Sequence, residues 1–407
     1  MPSGRVFSAT MKPSDQLLHR LSVLKAIQRH APVARSALPE LTGLSAGLIT
    51  QLTAELLERG LIMESKVEGQ GRGRPRVNLG INARGGTVIG AMLEGDGTLG
   101  VWFIDLSGNV LSAYKVPLSP AGTIDDLALA IIAALREALA QSGLGQADIL
   151  HAAIAIPGIV DSRRGIIHFI KTMPLGPVAF AAPIAEALGI PVTIEGEMAS
   201  MVRAEHWFGR MRDKASFSVL HFSHALGSGR YADGLAVTGA SGISGEIGHA
   251  KIESGPHARP CFCGGMGCAN SYASIFGMVE AAGLLRDLPF PAIRSLDEAF
   301  GELLNRAENG DHPALSLLKT AGEKLGVIVA NHINVTDPGE ILILLPDSRL
   351  HDVIRTAFDR VLEANVLPGM LGLARISFDL PLPDWRWKGT AALALEMEYL
   401  APDRASR

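Results

Sequence analysis

All three cysteines of this 407-residue chain fall within one short stretch, Cys261-Phe262-Cys263-Gly264-Gly265-Met266-Gly267-Cys268, and Gly248-His249 stands just upstream. Three thiolates and one imidazole make the closed tetrahedral shell of a structural zinc site. Gly264, Gly265 and Gly267 carry no Cβ, so the backbone between the sulfurs can turn tightly around one ion. The fold must then bring residue 249 back against 261–268. A single residue separates Cys261 from Cys263, tighter than the commoner gap of two, and a disulfide or buried thiols are the alternative. An odd number of cysteines would strand one thiol in any disulfide scheme, and nothing in the chain points to an oxidising compartment. The expected ligands are His249, Cys261, Cys263 and Cys268, with Zn2+ as the cofactor.

The net charge of −4 hides an asymmetry. Residues 1–80 hold eleven Lys or Arg against six Asp or Glu, a surplus of five, which leaves −9 for the remainder. A basic module on an acidic body is what a nucleic-acid binder with a separate sensing part would show. Within the basic part, Leu17, Leu18, Leu21, Leu24 and Ile27 recur at helical spacing. A short segment, 35–41, follows, in which Pro39 must distort or shorten any helix. Thr42-Gly43-Leu44-Ser45 then reads as a turn in which Ser45 caps a helix over 46–59, ended by Gly60. The stretches 61–64 and 77–79 read as two strands.

Helix, helix, Gly-containing turn, helix and hairpin is the layout of a winged helix-turn-helix. The helix after the turn leads into the major groove with its N-terminal residues. Here those are Ala46, Gly47, Thr50 and Gln51, with Ser45 near a phosphate. Gln51 is the long side chain suited to a base edge, adenine by preference. In Gly71-Arg72-Gly73-Arg74-Pro75-Arg76, Arg72 and Arg74 lie on a thin extended strip that suits a narrow minor groove. The blander readings are a three-helix protein-interaction domain and a flexible basic linker.

With 47 % hydrophobic residues and 45 glycines, the chain has ample material for two or three domains of about 150 residues each. Abundant Gly with few aromatics suits an α/β protein. No apolar run reaches the roughly 18 residues needed to cross a bilayer, and the N-terminus has no secretory apolar region. A cytoplasmic protein is expected. In the body, 87–92 and 101–105 read as a hairpin around Glu94-Gly95-Asp96-Gly97-Thr98, and 110–116 as a third strand. A helix over 123–142 and a buried strand over 149–156 follow. The strand 192–195 and a helix over 198–208 come next. The pattern then repeats with a strand over 218–222, the loop Gly227-Ser228-Gly229 and Gly245-Glu246-Ile247-Gly248-His249. Helices over 312–335, 349–364 and 389–399 flank a strand over 340–345. Two α/β lobes that each open on a glycine-turn hairpin suggest a duplicated actin-like, ribonuclease H-like fold with a ligand cleft between lobes. The expected division is 1–82 for the DNA-binding module, 83–196 for the first lobe and 197–407 for the second, with the C-terminal helix returning to the first lobe.

These residues resemble the transcription factors of the ROK family (repressor, open reading frame, kinase). The run Gly245-Glu246-Ile247-Gly248-His249 with Cys261-x-Cys263-Gly264-x-x-Gly267-Cys268 is similar to the family signature. Ile156-Pro157-Gly158-x-Val160-Asp161 is similar to a second block, and Leu44-Ser45 with Gly71-Arg72-Gly73-Arg74-Pro75 to the DNA-binding members. The resemblance implies a winged helix-turn-helix fused to a sugar-kinase-like body, and a homodimer or homotetramer.

Kinases and repressors of the family share that body, so the choice rests on chemistry. Phosphoryl transfer needs a glycine cradle for phosphates, acids for Mg2+ and a base for the sugar hydroxyl. Leu93 falls at the acidic position of the first phosphate loop, with a slip of one residue left open. Ser223-His224-Ala225-Leu226-Gly227 replaces the second, glycine-rich loop, and Leu344-Leu345-Pro346 replaces a Gly-Gly pair. Gly196-Glu197 stands where kinases carry Asn-Asp, and a base misplaced by on the order of 1 Å can cost about a hundredfold in rate. Enzyme activity is not expected; an ATP-dependent sugar kinase is the alternative. The resemblance implies sugar contacts at Glu246, His249, Glu197, Gly196 and Asn270. The changes at 196, 197 and 270 should alter which sugar fits, since an unmatched buried polar group costs about 1–3 kcal/mol. A collapsed pocket is the other reading. The expectation is a regulator, in the repressor sense, that binds a double-stranded DNA operator and senses a carbohydrate between its lobes. A regulator controlled instead by a protein partner stays open.

Overall fold

The chain divides into two compact units, residues 1–200 with 386–407, and residues 201–385. The computed structural model describes residues 15–66, 77–170, 173, 176–285 and 293–400.

In the first unit, helices Asp15–His30, Leu38–Thr42 and Ala46–Glu58 pack beside an antiparallel sheet ordered Val33–Ala34, Val77–Ile81, Ile62–Lys66. Pro39 sits in the first turn of its helix, where its missing N–H costs nothing, and the helix stays short. Gly43 ends it in the left-handed region at φ 71°, and its amide returns to Pro39 O over 2.8 Å. Ser45 Oγ accepts from the Leu48 amide at 3.3 Å and so caps the following helix. That helix buries Ile49, Leu52, Thr53 and Leu56, and the first helix buries Leu21, Leu24 and Ile27. Arg20 pairs with Glu55 across the junction between these two helices.

The larger sheet of this unit runs Val192–Gly196, Ile149–Ile156, Thr87–Leu93, Thr98–Asp105, Val110–Pro117. The first three strands are parallel neighbours and the last three form an antiparallel meander. Ile149–Ile156 is buried along its whole length, as a parallel strand covered on both faces must be. Helix Ile124–Ser142 covers one face, opened by a reciprocal Thr123–Asp126 capping box and closed by Gly143 at φ 72°. The second strand of the meander starts at Thr98, not Val101. Gly100 disguises it in the sequence and is a glycine because a Cβ there would meet the Trp102 ring at 2.3 Å. The C-terminal helix also starts earlier than its periodicity suggests, at Trp385, and runs to Leu400. Gly389 weakens its apparent helical pattern yet is needed, because a Cβ would lie 2.3 Å from Ser200 O. Near its end Glu396 receives Lys25 at 3.5 Å, and Glu398 O accepts from Arg59 Nη2 at 3.2 Å. Tyr399 Oη donates to Leu106 O at 2.8 Å.

In the second unit a five-stranded sheet runs Leu235–Ala236, Leu226–Ala232, Phe217–Phe222, Glu340–Leu344, Arg375–Asp379. Its first three strands form an antiparallel meander and the next two add in parallel. The first unit's sheet has the same pattern, so the strand topology occurs twice. Helices His312–Thr336 and Arg349–Asn365 pack closely at Gly322 and Gly326, where a Cβ would sit 2.8 Å from Ile354 and from Phe358 O respectively. Leu318, Leu325, Ile354 and Phe358 join the sheet's Ile341 and Ile343 in one core. Among the described residues no helix is long and apolar enough to cross a membrane.

Candidate functional site

The second unit folds His249 onto the cysteine stretch. Isolated bridges pair Lys251 with Cys268 and Pro260 with Met266, so two short extended segments bring the histidine beside the sulfurs. Gly267 has φ 70°, and a Cβ there would lie 1.9 Å from Glu253 O, so only glycine lets the turn close. The ligand atoms of His249, Cys261, Cys263 and Cys268 all lie within 4.8 Å of one another. His249 Nδ1 is 3.8 Å from Cys261 Sγ, and Cys263 Sγ is 3.7 Å from Cys268 Sγ. A tetrahedral ion with metal–sulfur bonds of about 2.3 Å has ligand separations of about 3.8 Å, so the four donors fit a metal ion in spacing as well as in chemistry.

Burial and the groups around it act in opposite senses on the thiols of this cluster. Burial pushes the Cys261 thiol up to about 11. Burial acts the same way on Cys263, but the Gly265 amide, the neighbouring sulfurs and Lys251 outweigh it and hold that thiol below its ordinary value. Burial, and after it the Lys251 charge, lower His249 and favour the neutral imidazole that a metal needs. The lysine itself donates from Nζ to Cys268 Sγ at 2.8 Å. Sequence alone assigns Lys251 no role; the one signal is a cation two residues after the histidine.

Glu246 immediately precedes the one-turn helix Ile247–His249, and its carboxylate lies 4.0 Å from His249 Nε2. Its side chain is half exposed, and partial burial raises its pKa. Gly245 and Gly248 lock this run onto the strand that follows the second phosphate-type loop. A Cβ at 245 would meet Ser228 O at 1.9 Å, and one at 248 would meet Leu226 O at 2.4 Å. Asn270 is buried, and its Oδ1 accepts the Leu226 amide at 2.7 Å. Its Nδ2 is buried with no partner among the described residues. Gly196 ends a strand and Glu197 opens the helix Glu197–Phe208, both half-buried, at the end of the first unit.

The three loops that stand in place of nucleotide grips each commit amides to acceptors within the protein. In the first, Thr98 N and Oγ1 donate to Asp96 Oδ1 at 3.2 and 2.6 Å, and Gly97 N donates to Glu94 O at 3.2 Å. Lys115 bridges Glu94 and Asp96 at 3.4 and 2.8 Å. Its ammonium, foremost, together with Thr98 holds Asp96 down at about 2. In the second, Leu226 N goes to Asn270 and Ser228 N to Gly245 O at 2.9 Å, while His224 Nε2 meets Asp297 at 2.8 Å. In the third, Leu345 is buried and its amide donates to Asp379 O at 2.8 Å.

Ser45, Ala46, Gly47, Thr50 and Gln51 are all exposed, away from the buried stripe of helix Ala46–Glu58. Thr50 Oγ1 is turned back onto Ala46 O at 2.9 Å. Of these five residues, Thr50 and Gln51 carry the hydrogen-bonding side chains past the cap, and Gln51 is the one whose polar end is not bound to its own helix. Arg72 and Arg74 lie outside the described residues.

Residues 94–348 match the model of the ROK family. The chain is 28 % identical over 355 residues to the DNA-binding transcriptional repressor Mlc of Escherichia coli K12, covering 85 % of each chain. It is 25 % identical over 352 residues to the dual regulator NagC of the same organism, covering 86 % of each. With the xylose repressor of Bacillus spizizenii it shares 26 % over 352 residues, or 85 % of this chain and 86 % of the other. Among solved structures, a ROK family transcriptional regulator described as a homolog of the Escherichia coli MLC protein superposes with a TM-score of 0.77 at 25 % identity, covering 95 % of this chain and 98 % of that one. A ROK family glucokinase from Streptomyces griseus, solved with glucose and AMPPNP, gives a TM-score of 0.59 at 22 % identity over 76 % of this chain and 99 % of that one, which speaks to the fold alone.

Proposed function

The chain belongs to the ROK family, and from that premise we propose that it is a cytoplasmic, DNA-binding transcriptional repressor that answers to a sugar or sugar derivative. One observation carries this reading: a helical module with an exposed, uncharged helix start precedes a sugar-kinase-like body whose nucleotide-type loops give amides to acceptors of the protein itself. NagC, Mlc and the ROK regulator of solved structure, which match over 86 %, 85 % and 95 % of this chain, are regulators, which supports the same choice.

In this reading residues 1–82 act as a winged helix-turn-helix. Ser45 meets a phosphate, Ala46, Gly47 and Thr50 pass close to the groove floor, and Gln51 reads a base edge. Arg72 and Arg74 add contacts along the backbone or minor groove. The shortness of the side chains at 46 and 47 allows a close approach.

His249, Cys261, Cys263 and Cys268 hold zinc. The ion supplies a structural cross-link and no chemistry of its own. His249 gives Nδ1 to the cluster, which fixes its tautomer and leaves Nε2 on the Glu246 side. Glu246 and His249 are the residues we assign to the effector's hydroxyls, with the Asn270 Nδ2 as a further donor. Gly196 and Glu197 are candidates on the family resemblance alone. An effector alters DNA affinity only by binding one conformation better than another. A homodimer or homotetramer would place two reading helices on a two-fold operator.

The kinase reading needs phosphate to displace Asp96 and Asn270 from amides they already satisfy. The test is a DNA-binding titration with glucose, xylose, N-acetylglucosamine and related sugars, using DNA selected by the protein from random sequence. At least one sugar should change the DNA affinity. If every sugar leaves it unmoved at saturation, the sensing half is wrong and control by a protein partner takes its place.

A further inference from the structure

Three thiolates around a divalent zinc ion leave one negative charge in excess, close to the protein surface. Lys251 stands two residues beyond His249, bridged to Cys268 by backbone pairing, with Nζ 2.8 Å from Cys268 Sγ. Its ammonium lies over Gly265, where a Cβ would come within 2.6 Å of Nζ and push it aside. Lys251 makes no ion pair with a carboxylate among the described residues, unlike Lys115 on Asp96 and Lys324 on Glu253. Its polar partner is a sulfur of the proposed centre.

We propose that Lys251 is the countercharge of the metal centre, a positioning residue whose ammonium binds the Cys268 sulfur and offsets the excess negative charge of the loaded site. Cys268 is fully buried whereas Cys263 is exposed. The lysine therefore anchors the inner ligand and leaves Cys263 as the one a competing chelator reaches first. Partners that bond to metal ligands rather than to the metal commonly contribute about 10–100-fold in affinity. An exposed ammonium, screened by water and salt, belongs at the lower end of that range.

The inference rests on the zinc reading, and the experiment separates the two. Zinc affinity and release would be measured on the full chain by competition with a chromophoric chelator, for wild type, Lys251→Gln and Lys251→Arg. Lys251 is exposed, so neither change opens a cavity. Glutamine keeps a donor to sulfur and loses the charge; arginine keeps both. About tenfold weaker binding and faster release are expected for Lys251→Gln, with wild-type values restored in Lys251→Arg and the gap narrowing as salt rises. Equal affinity in all three overturns the role of Lys251 and leaves the centre standing. A wild-type chain that takes up no zinc overturns both.

Discussion

The backbone amide of Leu226 donates to the side-chain oxygen of Asn270 over 2.7 Å, beneath Gly248 and two residues past the cysteine stretch. One side chain thus joins the metal-type cluster to the loop that resembles a phosphate grip. Asn270→Ala removes the acceptor and leaves a buried amide unpaired, which costs about 1–3 kcal/mol. Urea unfolding of the variant should show a midpoint lowered accordingly. An unchanged midpoint would mean that the loop finds another acceptor.

The same bond, with the Asp96 turn and the buried Leu345, argues against phosphoryl transfer. With ATP, Mg2+ and a panel of sugars, a coupled assay should register no sugar-dependent release of ADP. Turnover on the order of 1 s⁻¹, within the usual range for kinases, would return the protein to the enzymes.

Cys263→Ser replaces an exposed thiolate with a hydroxyl, a much poorer zinc ligand. The metal content of the purified variant should fall below one ion per chain. A hundredfold loss of affinity is about 2.7 kcal/mol when the wild type is saturated. That corresponds to roughly 5–10 °C in the melting of a unit of this size. Full metal content with an unmoved melting temperature would argue against a cross-linking role.

On the DNA face, Gln51→Ala should cost about 1–3 kcal/mol for the selected site while non-specific binding stays the same. Replacing Arg72 and Arg74 together with Ala should weaken all DNA alike and lower the salt slope by about 0.9 for each phosphate no longer neutralised. A salt slope equal to that of the wild type would leave those arginines as part of a linker.

His332 carries the pH prediction. Its Nε2 lies 2.8 Å from Ser218 Oγ and 3.3 Å from Thr336 Oγ1. Burial, and then the Arg230 charge, bring it down to about 4 from an ordinary 6.5. The folded chain therefore holds the neutral ring, and the unfolded chain takes up a proton first as pH falls. The contribution is fully present above about pH 6.5 and is lost as pH drops toward 4, on the order of 3 kcal/mol in all. His332→Gln keeps a polar group beside Ser218 without the titration. The stability from denaturant unfolding between pH 7 and 4 should therefore fall less steeply for the variant, and parallel curves would contradict the assignment.

The gathering of His249 with the three cysteines is legible in the sequence because these are rare residue types in a short span. The outward side of helix Ala46–Glu58 is legible because a cap, a glycine turn and an apolar stripe agree there. Lys251 is not, because a lysine between a histidine and a cysteine loop has no meaning until Cys268 is paired opposite it. Asn270 reads as a contact for a ligand, yet its oxygen is spent on Leu226. Gly100 and Gly389 hide the starts of a strand and a helix: the first lies under the ring of Trp102 on the same strand face, the second against Ser200, far away in the sequence. The strand Arg375–Asp379 carries no alternating pattern because it is an edge with both ends exposed.

Helix Trp385–Leu400 completes helices that lie far earlier in the chain. Arg59 reaches a carbonyl 339 positions further along the chain, and Lys25 is answered by the buried Glu396 in the same helix. While the ribosome is still extending the polypeptide, those two acceptors have yet to be made. Helices Asp15–His30 and Ala46–Glu58 are thus completed by a segment synthesised long after them, and a product truncated ahead of residue 385 would carry them without either partner.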